Sequence, residues 1–160
     1  MADANAWLLP VDLKARGRGR NAPAGLAACG EGELFHLVQG PKLTFMPGAV
    51  PWCCHVMPWQ GLLLPALDLG AWQERRRSPS DHSVAAIAAF QPAPGEPPSY
   101  AALLLTDLPR RASVSDDQAC ATPPEWRAVA LAAFELESQP IPILDLYALF
   151  SGGLSEVRAA

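Results

Sequence analysis

Apolar side chains along this chain come in short runs, each closed by proline, glycine or a polar cluster. The first run predicts a strand over residues 7–13. Leu34-Phe35-His36-Leu37-Val38 is the second, ended by Gln39-Gly40-Pro41. Residues 43–46 follow, with Pro47-Gly48 as a turn, and residues 52–57 predict extended chain. Pro58-Trp59-Gln60-Gly61 then reads as a hairpin turn. Residues 62–67 read as a buried strand, although their Leu-rich composition has low strand propensity. Val84-Ala85-Ala86-Ile87-Ala88-Ala89-Phe90 connects through a Pro-rich hairpin tip at 91–98 to a return strand at 100–105. Residues 113–122 are polar and predict a loop.

One segment occurs twice. Pro65-Ala66-Leu67-Asp68-Leu69-Gly70-Ala71-Trp72 returns as Pro142-Ile143-Leu144-Asp145-Leu146-Tyr147-Ala148-Leu149. An internal repeat implies two halves on similar plans. In each copy a strand ends at Leu, Asp caps the next turn through its carboxylate, and the following aliphatics form one short helical turn. A cap contributes about 1 kcal/mol and each buried Leu or Ile about 1.5–3 kcal/mol. Stability therefore accounts for the repeat, and the structural reading of Asp68 and Asp145 outweighs that of a catalytic carboxylate pair. Arg75-Arg76-Arg77 falls where the first helix frays and suits the helix dipole. Gly152-Gly153 supplies the second stop. Two signals compete after Trp126. Thr122-Pro123-Pro124-Glu125 resembles a capping box and 128–133 are good helix formers, whereas the repeat asks for a strand at 129–137. A short helical turn followed by a strand reconciles them.

Composition narrows the class. Seventeen prolines and twelve glycines among 160 residues oppose a helical bundle. The net charge of -4 gives no sign of a nucleic-acid binder. No apolar run reaches the roughly 18 residues of a membrane helix, and Met1-Ala2-Asp3-Ala4-Asn5 lacks the basic start of a signal peptide. The expectation is a soluble, cytoplasmic protein of one domain over residues 1–160. The basic tract Lys14-Ala15-Arg16-Gly17-Arg18-Gly19-Arg20-Asn21 reads as a solvated turn rather than a contact for acidic surface or RNA. Gly17 and Gly19 do not complete a dinucleotide fingerprint.

Candidate chemistry is sparse. Cys29, Cys53, Cys54 and Cys120 lack disulfide-scaffold or metal spacing, and adjacent strand residues such as Cys53 and Cys54 point to opposite faces. They read as buried free thiols. His36, His55 and His82 have no obvious partner, and Asp116-Asp117 reads as solvated loop. No nucleophile elbow, phosphate loop or zinc-protease helix occurs. The reading is a non-enzyme without cofactor, metal or catalytic residues. A small enzyme using Cys53 or Cys54 is the outlying alternative; slow alkylation of both thiols would sink it.

Residues 43–72 resemble the CheW-like family of chemotaxis coupling proteins. The features that carry the resemblance are Pro47-Gly48, the aromatic-led segment 52–57, the turn Pro58-Trp59-Gln60-Gly61, the aliphatic run 62–67 containing Pro65, and Asp68-Leu69. Residues 141–150 are similar to the family's closing strand and turn. The resemblance covers about residues 34–150 and is weaker for the N-terminal strand.

The resemblance implies a mainly β fold. Two five-stranded SH3-like barrels share a hydrophobic core, with short helices after Asp68 and Asp145. It implies an adaptor joining a chemoreceptor's cytoplasmic tip to the regulatory domain of a CheA-type histidine kinase, with a groove between barrels taking a receptor helix. It places partner binding at His36, His55, Val56, Trp59, Gln60 and Gly61, with Trp59 as an anchor or folded onto its own barrel. Several of these depart from the family pattern. The turn's Arg is Gln60, the Asn two places earlier is Pro58, a Gly is His55 and a Glu is His36, while Gly61 is kept. Gln cannot reproduce the charged fork of Arg. A second binding class therefore stands beside the first: a CheW-like module of a type IV pilus or a cell-polarity or partitioning system that has lost receptor–kinase coupling. Neighbouring genes discriminate the two.

Overall fold

Twelve strands form two curled six-stranded sheets in a computed structural model that describes residues 3–11, 13 and 25–152. The strands are β1 (Ala4–Val11), β2 (Gly25–Gly30), β3 (Leu34–Gln39), β4 (Thr44–Phe45), β5 (His55–Trp59), β6 (Leu62–Leu67), β7 (Val84–Phe90), β8 (Ser99–Leu105), β9 (Arg110–Val114), β10 (Ala119–Cys120), β11 (Ala130–Leu136) and β12 (Gln139–Leu144). A helix, α1 (Leu69–Glu74), follows β6, and a helical turn followed by a wide π-type turn over Ala148–Gly152 follows β12. One sheet runs β3-β7-β8-β6-β5-β4 and the other β9-β1-β2-β12-β11-β10. Each thus has five full strands and one two-residue strand at an edge, β4 or β10. The two orders correspond strand for strand. The N-terminal hairpin β1–β2 completes the sheet whose other strands come from the C-terminal half.

The two central hairpins, β1–β2 and β7–β8, are buried on both faces. Leu9, Val11, Ala27 and Cys29 meet Val84, Ala86, Leu103 and Leu105 in a core shared by the sheets. The alternate residues face inward within each sheet: Ala85, Ile87, Ala102 and Leu104 in one, Ala6, Leu8 and Ala28 in the other. Double burial explains why residues 84–90 read as a continuous apolar run rather than an alternating one.

The repeat keeps its hydrogen bonds as well as its sequence. Asp68 N–H donates to Trp52 C=O at 2.9 Å, and Asp145 N–H to Val129 C=O at 2.8 Å. Asp68 Oδ1 accepts from Ala71 N–H at 3.0 Å, and Asp145 Oδ1 from Ala148 N–H at 3.1 Å. Each repeat proline sits one residue before its strand gains a parallel neighbour: Pro65 before Ala66↔Ala102, and Pro142 before Ile143↔Ala28. A missing N–H is tolerated there because no ladder bond is due from it on that side.

Several expectations are corrected. Residues 52–57 are not wholly extended: Pro51–Cys53 is a 3-10 turn. Proline at a first-turn position favours it, and Trp52 turns into the shared core. The reversal expected at 58–61 is narrower, because β5 continues through Pro58 and Trp59. Strand β4 pairs only with His55 and Val56, so Pro58 owes that side no donor. Leu62 and Leu63 are 48% and 70% exposed, not buried, because they lie beside the hairpin tip. The polar stretch 113–122 holds the end of β9, a 3-10 turn at Asp116–Gln118 and β10. Beyond Trp126, a 3-10 turn (Pro124–Val129) leads into β11, as expected. The basic tract at 14–21 lies outside the described residues, as does Gly153.

Candidate partner-binding groove

The hairpin β5–β6 reverses through Gln60 and Gly61, whose φ angles are 48° and 79°. Two consecutive positive φ values are what a two-residue type I′ loop needs. Gly61 adopts this freely, while a side chain at Gln60 pays for it in backbone strain.

Beside the hairpin, curling of the sheet brings β3 close to Trp59. The Trp59 ring lies 5.7 Å from Phe35 and 5.3 Å from Tyr100, with His36 at 6.4 Å. Phe35 is 56% exposed and Trp59 half-buried. Trp59 therefore rests on its own barrel while one part of its surface stays open, beside the exposed Leu62 and Leu63.

A cavity of about 590 Å³ opens on the same sheet. One wall is the segment 46–50 with Cys53. Val56, Pro65 and Ala101 line it from β5, β6 and β8. Phe90 and Phe150 form another wall, stacked at 5.5 Å and 16°. Tyr100 belongs to both the groove and the aromatic cluster. The site residues expected from sequence thus form two neighbouring groups. His55 and Val56 line the groove, whereas His36 and Trp59 join the aromatic cluster and Gln60 and Gly61 make the hairpin tip beyond Trp59. Phe35, Tyr100, Phe90 and Phe150 escaped sequence reasoning, because their meeting depends on sheet curl and long-range packing. The run Leu34-Phe35 next to His36 was the one local signal.

A buried charge network lies behind the groove. Asp68 Oδ2 accepts from Ser78 Oγ and pairs with His82 Nε2, each at 3.0 Å, while Arg76 lies 4.0 Å away. His82 therefore has a partner, contrary to the sequence expectation, which had no local cue across this loop. Burial pushes the Asp68 carboxyl upward. The hydrogen bonds from His82, Ala71 and Ser78 and the His82 charge outweigh it and hold the group below its ordinary value. His55, buried, has its Nδ1 3.5 Å from Cys54 Sγ. Its pKa is lowered by burial and then by the nearby His82 and Arg77, with Asp68 opposing.

Of the thiols, Cys29 and Cys54 are buried and Cys53 and Cys120 half-buried, all free. Burial, helped by Glu33, pushes Cys29 up to about 12, which leaves it a neutral thiol at physiological pH. Among the described residues no three His, Cys, Asp or Glu side chains converge as metal ligands would. No helix among them is long and apolar enough to cross a membrane.

A family model, the CheW-like domain, matches residues 33–153. The chain belongs to the CheW-like domain family. CheW-type proteins are scaffolds of chemotaxis signalling, and the two curled sheets are the SH3-like subdomains of their fold. The scaffolding protein TtCheW from Thermoanaerobacter tengcongensis superposes with a TM-score of 0.66 at 14% identity, covering 94% of each chain. At that identity the likeness carries the fold alone. No curated protein matches the chain.

Proposed function

We propose that this CheW-like chain is a cytoplasmic, non-enzymatic adaptor of one domain that couples a chemoreceptor's cytoplasmic tip to a CheA-type histidine kinase. The observation that carries the reading is an apolar groove of about 590 Å³ running into an exposed aromatic cluster, on a fold whose family consists of scaffolds. The groove offers Val50, Val56, Pro65, Phe90 and Phe150 to the apolar face of a helix. The hairpin tip, with Trp59, Gln60, Gly61 and the neighbouring His36, supplies the second contact. His55 acts from the groove wall.

A two-part experiment tests it. The chain is mixed with the cytoplasmic fragment of a receptor and the regulatory domain of a kinase from the same organism, and complexes are followed by size exclusion. The expected result is a ternary complex, weakened at least about tenfold by Trp59→Ala, in line with loss of an aromatic anchor. Absence of co-elution with either partner, together with unchanged signalling in cells carrying Trp59→Ala, overturns the coupling role.

A further inference from the structure

The segment after α1 places cations beside the groove that no carboxylate of the described chain answers. Arg75 caps the helix with φ 53°, and Ser78 N–H donates to Pro51 C=O at 2.9 Å. Residues 75–78 therefore run along the 3-10 turn that leads out of the groove wall. Arg75 stacks over Trp52 at 5.1 Å, with Trp72 at 5.8 Å, and Arg77 stacks over Phe45 at 4.7 Å. Both guanidiniums are exposed and make no ion pair with a described residue. Arg76 between them differs: it bonds Glu74 at 2.9 Å and approaches Asp68.

Arg77 also belongs to the groove electrostatically. Its charge acts on His55, which lines the cavity, and the Phe45 ring beneath it lies 6.1 Å from the His55 ring. Phe45 and Met46 are 46% and 42% exposed, so apolar surface continues from the cavity to the guanidinium. A cation already held on an aromatic ring loses little freedom when it meets an anion.

We propose that the groove selects an acidic amphipathic helix, whose apolar face fills the cavity and whose carboxylates pair with Arg77 and Arg75. This rests on the reading of the groove as a partner-binding site. The free sheet edge nearby, β4, is two residues long and too short to template an added strand, which favours a helix. Two guanidiniums without an ion pair among the described residues, on a chain of net charge -4, do not make the basic stripe a nucleic acid needs, whereas an apolar cavity with a cationic rim suits an amphipathic acidic helix.

The test uses two synthetic helical peptides with the same Leu/Ala stripe, one with Glu and one with Lys on the polar face. Each is titrated calorimetrically into the full chain at low and high salt. The Glu peptide is expected to bind about tenfold more tightly at low salt, with the margin shrinking as salt screens it. Arg77→Gln should remove most of that margin and Arg77→Glu reverse it, with circular dichroism confirming the fold. Val56→Glu should weaken both peptides. Equal affinity of the two peptides, or a preference unmoved by Arg77→Glu, overturns the proposal while leaving the groove reading intact if Val56→Glu still weakens binding. Binding indifferent to Val56→Glu, or none by either peptide, overturns the proposal. Co-elution with receptor and kinase then decides separately whether the coupling role stands.

Discussion

The carboxylate of Asp68 takes three hydrogen-bonding partners, Ala71 N–H, Ser78 Oγ and His82 Nε2, in full burial, whereas Asp145 at the matching position caps Ala148 half-buried. Replacement should separate them. Asp68→Ala, which leaves the buried His82 without its anion, is expected to cost about 3 kcal/mol. Asp145→Ala should cost about 1 kcal/mol, the worth of a cap. Urea unfolding measures both, and equal losses would contradict the difference in environment. The pH dependence follows from the lowered Asp68 pKa. Its contribution is fully present above the unfolded value of 3.8 and is lost as pH falls through the folded value. The acid limb of the stability curve should therefore flatten in the variant. His55 acts in a different window. Its folded pKa also lies below the unfolded value, 6.5, so its neutral form stabilises the fold above that pH and the contribution fades as pH falls below it. His55→Gln should show a smaller drop in urea midpoint between pH 7.5 and 5.5 than the parent chain, a comparison made at about those two values. At this scale the sequence revealed the caps, since Asp binds a backbone N–H three residues away. The Ser78 and His82 partners come round a loop and leave no local trace.

Turns set the register of both hairpins. β5 and β6 join through Gln60 and Gly61, and β11 and β12 through Glu137 and Ser138, which carry φ of 50° and 63° without a glycine. Left-handed backbone costs a non-glycine residue roughly 1–2 kcal/mol. The double replacement Glu137→Asn and Ser138→Gly should thus raise stability by about 1 kcal/mol, read as a shift in thermal or urea midpoint, with unchanged association with partners. An unchanged midpoint would mean that the loop holds little strain. Element positions were largely legible because the apolar runs are interrupted sharply by Pro and Gly. Errors gathered where proline has two structural meanings. Pro58 signals a turn in sequence but lies in a strand whose neighbour has already ended, and Pro51 starts a 3-10 turn inside what reads as an extended run.

The whole molecule depends on chain segments far apart in sequence. Leu9, Val11, Ala27 and Cys29 of β1 and β2 fill the core shared with β7 and β8, while their sheet is completed by β9 to β12. Deletion of residues 1–30 should therefore abolish cooperative unfolding of the entire chain, including the sheet it leaves formally intact; a persisting sigmoidal urea transition would show that sheet to be independent. The sequence by itself determined the strand-rich class, the paired Asp caps, the two-halved plan and the family resemblance. Those rest on local chemistry: apolar runs, turn residues and a repeated cap need no distant partner to be read. Only the tertiary structure decided that the first hairpin completes the second half's sheet and that Phe35 and Tyr100 meet Trp59. It likewise stacked Phe150 on Phe90 in one wall of the groove and placed Arg77 on Phe45 beside His55. These are contacts made by sheet curl and packing between remote segments, and apolar periodicity says that a face will be buried without saying which face will cover it.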